Sequence, residues 1–441
     1  MDAIGGLEAW LAPFLAALGC KTRRSWAPLY VQGLLGPDEG KSVQPMAQRL
    51  GLPGHDQLHH FLSSPAWDDA PLWRVLADEA GRLVGGERAV LVVDDTGLPK
   101  KGSASVGVAP QYCGQLGKQA NCQVLVSLTL AQGEVPVPVG LRLFLPKTWT
   151  EDPDRCARAG VPEAARTAQG KPEMALAEID RVRAAGITFG CVLADAGYGM
   201  SAAFRQGLNE RQLAWAVGIP RTQKVYTTAV RLEWPQTRTG RPRKVPKPSE
   251  EPRPVDAVLA TARWRRVAWR QGTKGALAAR FAAVRIRVGD GAPTRTARHL
   301  PGDEAWLVGE WRDNGERKFY LSNLAPRTSL RALAAAIKAR WVCEQAHQQL
   351  KQEVGLGDFE GRSWTGLHRH ALMACIAYAY LQHLRLRNAR GRKKNDATDG
   401  AAAAAEPARD PSRHHCQPVR VLRRTAVLPP LRPTMASHAH T

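Results

Sequence analysis

Two acidic positions and one helical stripe are the parts of this chain whose residue types could do chemistry together. Asp94 and Asp95 follow a continuous apolar run at residues 89–93, and Asp195 follows a second at 187–194. Taken singly, Asp94-Asp95-Thr96-Gly97 and Asp195-Ala196-Gly197 equally describe a turn or a helix cap. Carboxylates at the ends of strands in one sheet, however, can converge on a single point. The third contribution is a stripe. Leu333, Ile337, Arg340, Glu344, His347 and Lys351 recur every three or four residues, so they share one helix face. The stripe begins apolar and turns charged, as a helix lining a cleft would. A solvent-facing end with an Arg340–Glu344 ion pair is the plain alternative. Glu353 lies nine residues past Glu344 and falls on the opposite face. Three carboxylates without a cysteine or histidine cluster suit hard, oxygen-preferring cations such as Mg²⁺ or Mn²⁺. Two such ions can hold an attacking water and a leaving oxygen at phosphorus, with Arg and Lys beside them to bind phosphate.

The charge points to a polyanionic partner. The 441 residues carry 62 Lys+Arg and 40 Asp+Glu, a net of +22, and nucleic acid is the leading candidate. Residues 221–290 hold 17 basic and 5 acidic side chains, and residues 385–441 hold 12 and 4. Within the first cluster, Arg263, Arg265 and Arg266 are the candidate DNA contacts. Residues 1–86, with 7 basic and 9 acidic side chains, give no such signal. Eight cysteines without a C-x-x-C pair argue against a disulfide scaffold or a structural zinc site and for a reducing compartment. Neither a secretory leader nor a membrane span is expected, because Asp2 replaces a basic start and the apolar run at 9–20 is short.

The elements that must position these groups read as a mixed α/β fold. Residues 1–86 read as a helical N-terminal domain, either a DNA-end-binding module or a plain packing module. Residues 87–220 read as the first part of a core: strands at 89–93, 122–130 and 135–145, a helix opened by Pro172, a strand to 194, a helix capped by Ser201, and a strand at 213–219. A Gly-rich basic loop fills 97–117, and Pro136 and Pro138 suggest an edge. Residues 221–317 read as a basic β-rich insertion. Residues 318–386 complete the core, with a last strand, one long helix from about 328 to 354, and an apolar helix at about 367–386. The tail, 387–441, reads as basic and disordered.

Several stretches together carry a family resemblance: 33–50 (GLLGPDEGKSVQPMAQRL), 59–67 (HHFLSSPAW), 92–102 (VVDDTGLPKKG), 111–124 (QYCGQLGKQANCQV), 193–199 (LADAGYG), 320–324 (YLSNL) and 340–364 (RWVCEQAHQQLKQEVGLGDFEGRSW). In this order they resemble the DDE transposases of bacterial insertion sequences, nearest to insertion-sequence family seven-zero-one and related to the hairpin-forming cut-and-paste group. The resemblance implies an RNase H-like mixed sheet with the β-rich insertion between the second Asp and the Glu. It implies Asp95, Asp195 and Glu344 as catalytic metal ligands for two Mg²⁺ or Mn²⁺ ions. Asp94 is the rival first ligand; the motif favours the Asp directly before Thr96. Arg340, Glu344 and Lys351 match the related group's tyrosine-arginine-glutamate-lysine signature, with Ile337 at the tyrosine position. Trp341 matches a tryptophan that stacks on a flipped base there, and helix packing is its plain alternative. The implied activity is cleavage of element ends and transfer of 3′ hydroxyls to target DNA. The implied partners are end and target DNA and a second copy in the synaptic complex, in the cytoplasm on the nucleoid. An RNase H-like nuclease or resolvase without strand transfer is a rival reading. So are a non-catalytic DNA-binding relative and an aspartyl-phosphate enzyme built on Asp95.

Overall fold

The computed structural model describes residues 3–37, 40–234, 246–272, 275–292 and 299–402, with side chains for residues 6–390 of these. Five helices come first: α1 (Ala3–Ala17), α2 (Lys21–Leu35), α3 (Val43–Arg49), α4 (Asp56–Ser63) and α5 (Ala70–Val84). Then follow β1 (Gly86–Pro99), β2 (Ala109–Cys113), β3 (Lys118–Gln132) and β4 (Val135–Phe144). Short helices α6 (Lys147–Thr150) and α7 (Pro153–Arg158) lead to α8 (Lys171–Ala184), β5 (Phe189–Ala194), α9 (Ala196–Gly199), α10 (Ala202–Glu210) and β6 (Trp215–Ile219). The basic region supplies β7 (Lys224–Tyr226), β8 (Leu232–Glu233), β9 (Lys247–Pro248), β10 (Arg253–Pro254), α11 (Val255–Leu259), β11 (Arg265–Gly272), β12 (Gly275–Val288) and β13 (Glu304–Trp311). The chain returns through β14 (Arg317–Ser322), α12 (Leu330–Lys338), α13 (Trp341–Gln352) and α14 (Trp364–Ala402).

Twelve strands form one mixed sheet, in the order β10-β7-β12-β13-β14-β6-β5-β1-β3-β2, with β11 on β12 and β4 on β3. At its centre β1 is antiparallel to β3 and parallel to β5, and β5 is parallel to β6. β14 then pairs antiparallel with β6. The basic region is therefore not a separate sheet. Its longer strands continue the central sheet through β13 and β14, and among the described residues only β8 and β9 pair apart from it.

Both faces of the sheet are covered, so the central strands bury both sets of alternating side chains. Val92, Cys191 and Leu193 pack beneath α12 and α13, against Leu333, Ile337, Val342 and Cys343. Leu91, Val93, Val192 and Ala194 face the other way, into the larger core. That core also takes in Leu11, Tyr30, Leu58 and Leu76 of the N-terminal helices and Leu372, Ile376 and Tyr380 of α14. The N-terminal helices therefore share a core with the sheet. Tyr30 donates to His370 Nδ1 on α14 at 2.8 Å, and His370 Nε2 donates to the Gly355 carbonyl at 3.0 Å.

Three expectations need correction. The apolar run at 89–93 predicts a strand that stops before Asp94, but β1 runs on to Pro99 because β3 keeps pairing with it through Pro99–Cys122. Most of the Gly-rich loop is thus strand or hairpin. The single helix expected over 328–354 is two. Ala339 donates to Ala336, Val342 to Ala339 and Cys343 to Arg340, a turn of i→i+3 bonds that is wound tighter than α. Finally, α14 extends past Arg387 to Ala402, where disorder was expected; the rest of that tail lies outside the described residues. No helix among the described residues is long and apolar enough to cross a membrane.

Candidate active site

Strand register decides which carboxylates meet. Val93 pairs with Ala194 across the parallel β1–β5 ladder, so Asp94 and Asp195 follow at the same level. Side chains alternate along a strand. Val92 lies on the α12/α13 face, and Asp94, two residues on, shares it; Asp195, just past the end of β5, is near enough for its charge to act on Asp94. Asp95 is turned to the opposite face. Of the predicted set, Asp95 lines a cavity with Asp195, while Glu344 shares Arg340 with the rival Asp94.

The contacts agree with the register. Arg340, at the start of α13, donates through Nη1 to Asp94 Oδ2 at 2.6 Å and through Nη2 to Glu344 Oε1. Asp94 is mostly buried, whereas Glu344 is 59 % exposed at its side chain. Burial pushes the Asp94 carboxyl up to about 7 against the pull of Arg340, and the Asp195 charge pushes it the same way. Burial opposes the charge on Arg340, but Asp94, Glu344 and Asp195 outweigh it.

Asp195 sits where the chain turns from β5 into α9. Its Oδ1 accepts from the Tyr198 N–H at 3.3 Å. The turn is possible because α9 lies directly on β6. A Cβ on Gly199 would come 2.0 Å from the Gly218 carbonyl oxygen, and one on Gly218 would come 2.8 Å from Ala196 N. On the far side of β1, Asp95 Oδ2 meets Lys171 Nζ at 2.6 Å and Oδ1 accepts from the Tyr198 hydroxyl. Asp95, Asp195, Lys147, Lys171 and Tyr198 line a cavity of about 430 Å³ there.

Behind Asp94 lies a polar group not expected from the sequence. Ligand atoms of Asp94, Cys343 and His347 all lie within 4.8 Å of one another. Their signal was present as an i,i+4 pair on α13. His347 Nε2 is 2.8 Å from Ser127 Oγ, and Ser127 Oγ donates to the Asp94 carbonyl at 3.0 Å. Burial pulls the imidazole down to about 3, so it is neutral and serves as packing with a hydrogen bond. A hard cation prefers carboxylate oxygen to thiol or imidazole, so within this group Asp94 is the fitting donor. Asp94 also feels the Asp195 charge, and Arg340 is a cation that meets both Asp94 and Glu344.

The other expected contacts are scattered. Trp341 is half-buried and carries Arg270 of β11 on its ring, 4.0 Å from the centroid. Lys351 is half-buried, and burial pulls its ammonium below the ordinary value. Arg263, Arg265 and Arg266 are exposed at the start of β11, with Arg266 3.6 Å from Asp313. Ile337 is buried beneath the sheet, so the tyrosine position of the signature is a packing residue.

Comparison with known proteins adds the family. The chain is 30% identical over 188 residues to the "Probable transposase for insertion sequence element IS701" of Microchaete diplosiphon, covering 42% of this chain and 46% of that protein. It thus spans about half the length of that curated relative. A cryo-EM structure of the piggyBac transposase synaptic complex with hairpin DNA aligns over 86% of this chain and 74% of that one, at 9% identity and a TM-score of 0.42, too low to define a shared fold. The DDE superfamily endonuclease profile matches residues 13–276, a stretch that holds both aspartate motifs and ends before α12. The chain belongs to the DDE superfamily endonuclease family.

Proposed function

We propose that the protein is an insertion-sequence DNA transposase that cleaves its element's ends and joins the 3′ hydroxyls to target DNA. The observation that carries this reading is the group of carboxylates: Asp94 within β1, Asp195 just past the end of the neighbouring β5, and Glu344 brought to Asp94 through Arg340. The central order β4-β3-β1-β5-β6, with β1 antiparallel to β3 and parallel to β5, supports an RNase H-like core. Residues 221–317 then act as the insertion between the second Asp and the Glu. The likeness to the insertion-sequence relative supports the transposase class.

In this reading Asp94, Asp195 and Glu344 hold divalent metal, Mg²⁺ or Mn²⁺. When bound, a pair of such ions polarises the scissile phosphate and activates the attacking oxygen. Arg340 neutralises the carboxylates in their absence and is placed to meet a phosphate oxygen once they turn to metal. Lys351 lies one helical turn beyond His347 and would approach the backbone further along. Arg263, Arg265 and Arg266 offer the exposed charge that tracks a duplex. Two copies would hold the two ends of one element.

The test is incubation of the full chain with Mg²⁺ and a plasmid carrying the DNA that flanks its gene. Cuts at inverted repeats and joined products are expected. Cuts without joining would favour the nuclease or resolvase reading. No cutting by parent protein that binds the repeats would favour the DNA-binding relative.

A further inference from the structure

Asp95 points away from Arg340 and Glu344, yet both of its carboxyl oxygens are held. Lys171 Nζ, at the start of α8, lies 2.6 Å from Oδ2, and the Tyr198 hydroxyl donates to Oδ1. The backbone N–H of the same tyrosine donates to Asp195 Oδ1 at 3.3 Å. The Asp95 N–H, in turn, donates to Asp94 Oδ1 at 2.9 Å. These contacts form a path from Asp94 through Asp95 and Tyr198 to Asp195. It joins β1 to the end of β5 just past the last residues these two strands pair, Val93 and Ala194.

From this we infer that the Tyr198 hydroxyl, with Lys171, has a positioning role: by anchoring to Asp95 it fixes the tyrosine whose N–H holds Asp195, and the strand residue whose N–H meets Asp94, in the orientation that takes a divalent cation. The inference rests on the reading of Asp94, Asp195 and Glu344 as the cation-holding carboxylates. The phenol is buried at 2% exposure and its ring packs against Phe204, with centroids 5.7 Å apart. A phenol hydroxyl buried this way needs an acceptor, and Asp95 supplies it. Asp95 adds to the charge that Asp94 feels, and Lys171, paired with Asp95 at 2.6 Å, offsets part of it. The pair of adjacent aspartates then has a division of labour. One faces the cation, and the other anchors the stretch of β1 that carries it.

The experiment titrates Mn²⁺ alone into the full chain, reading bound ion from loss of the free-ion electron paramagnetic resonance signal, with thermal unfolding on the same samples. Tyr198→Phe keeps the ring and removes the hydroxyl. It is expected to bind Mn²⁺ about 10- to 100-fold more weakly, as outer-shell substitutions do, with Tm close to the parent. Lys171→Met should weaken binding too, and the double variant should fall short of the product of the two effects. DNA cleavage by Tyr198→Phe should recover as Mn²⁺ is raised, a rescue that a packing defect would not show. Parent-like Mn²⁺ affinity in Tyr198→Phe overturns the positioning role. Asp94→Asn and Glu344→Gln form the control arm. If these also bind like the parent, the carboxylate reading itself fails. If they lose Mn²⁺ while Tyr198→Phe keeps it, only the positioning role fails. Should Tyr198→Phe unfold, Lys171→Met at its half-buried helix start decides, with parent-like affinity overturning the role.

Discussion

Asn in place of Asp94 and Asn in place of Asp95 change the same atoms one residue apart, and their effects should differ. Asp94→Asn should lower DNA cleavage on the order of 10³-fold or more, because a direct contact to the cation is lost. Asp95→Asn should cost about 10–100-fold, through the neighbours it holds. Single-turnover cleavage of an end-bearing duplex distinguishes them; equal losses, or a larger one at Asp95, would return the first ligand to Asp95. The difference was hard to read from residues alone. In a strand buried on both faces, Leu91, Val92 and Val93 are all apolar, so no alternation marks which Asp follows which face. Only the partner helix distinguishes the faces, and that helix lies 250 residues downstream, at Glu344. The place of Asp195 in the fold was legible, because the apolar run at 187–194 stops there and β5 ends at Ala194.

The turn between α12 and α13 is the element on which Glu344 depends. No Gly or Pro lies at Ala339-Arg340, so the 3.6-residue pattern runs through it and predicts one helix. Tertiary contacts from the inserted strands hold the two pieces instead. Lys338 lies over the Trp269 ring at 4.8 Å and Arg270 lies over Trp341 at 4.0 Å. Lys338 also reaches Glu310 of β13 at 2.8 Å, which accepts from Arg312 at 2.9 Å and from the Tyr320 hydroxyl at 2.7 Å. Such pairs leave no periodic signature. Glu310 is wholly buried. Burial would raise its carboxyl, but Lys338 and Tyr320 outweigh this and keep it low. Glu310→Ala should therefore destabilise the fold by about 1–3 kcal/mol, since it removes the acceptor shared by half-buried Lys338 and Arg312; a urea titration measures it, and a loss under 1 kcal/mol would mean α12 is held elsewhere. Arg270→Ala should uncover Trp341, shift its fluorescence to the red and leave the urea midpoint nearly unchanged. An unshifted spectrum would show that the guanidinium does not shield the indole.

At the scale of the whole molecule, one core joins the N-terminal helices, the sheet and α14, and acid should strain it. His370 donates to the Gly355 carbonyl and accepts from Tyr30, and burial pulls its pKa down to about 4. An unfolded histidine titrates near 6.5, so the unfolded chain binds this proton first as pH falls. The stability that neutral His370 contributes is intact above about pH 6.5 and declines from there toward pH 4, by about 3 kcal/mol in all. His370→Gln should flatten the dependence of the urea midpoint on pH across that window; an unaltered slope would assign it to other groups. The exposed arginines act on a different axis. Neutralising Arg263, Arg265 and Arg266 together should reduce the salt dependence of DNA binding by up to about 3 in log–log slope, read by fluorescence anisotropy at several salt concentrations, and an unchanged slope would remove them from the DNA path. Charge and class were legible at this scale. The continuity of the sheet was not, because the strands that extend it are separated in sequence from those they meet.

That continuity sets a timetable. Phe319 pairs with Ile219, one hundred residues earlier, so the outer edge of β6 stays bare on the ribosome until β14 has been made. At common synthesis rates this is roughly 5–20 s, far longer than a hairpin takes to close. During that interval a parallel pair, β5 and β6, presents an apolar edge that any other strand could join. Synthesis slowed between 220 and 320 should therefore lower the yield of native protein, and chaperone capture should concentrate on chains halted before β14. Because Glu344 emerges later still, no nascent chain can assemble the group of carboxylates before the sheet that carries it has closed.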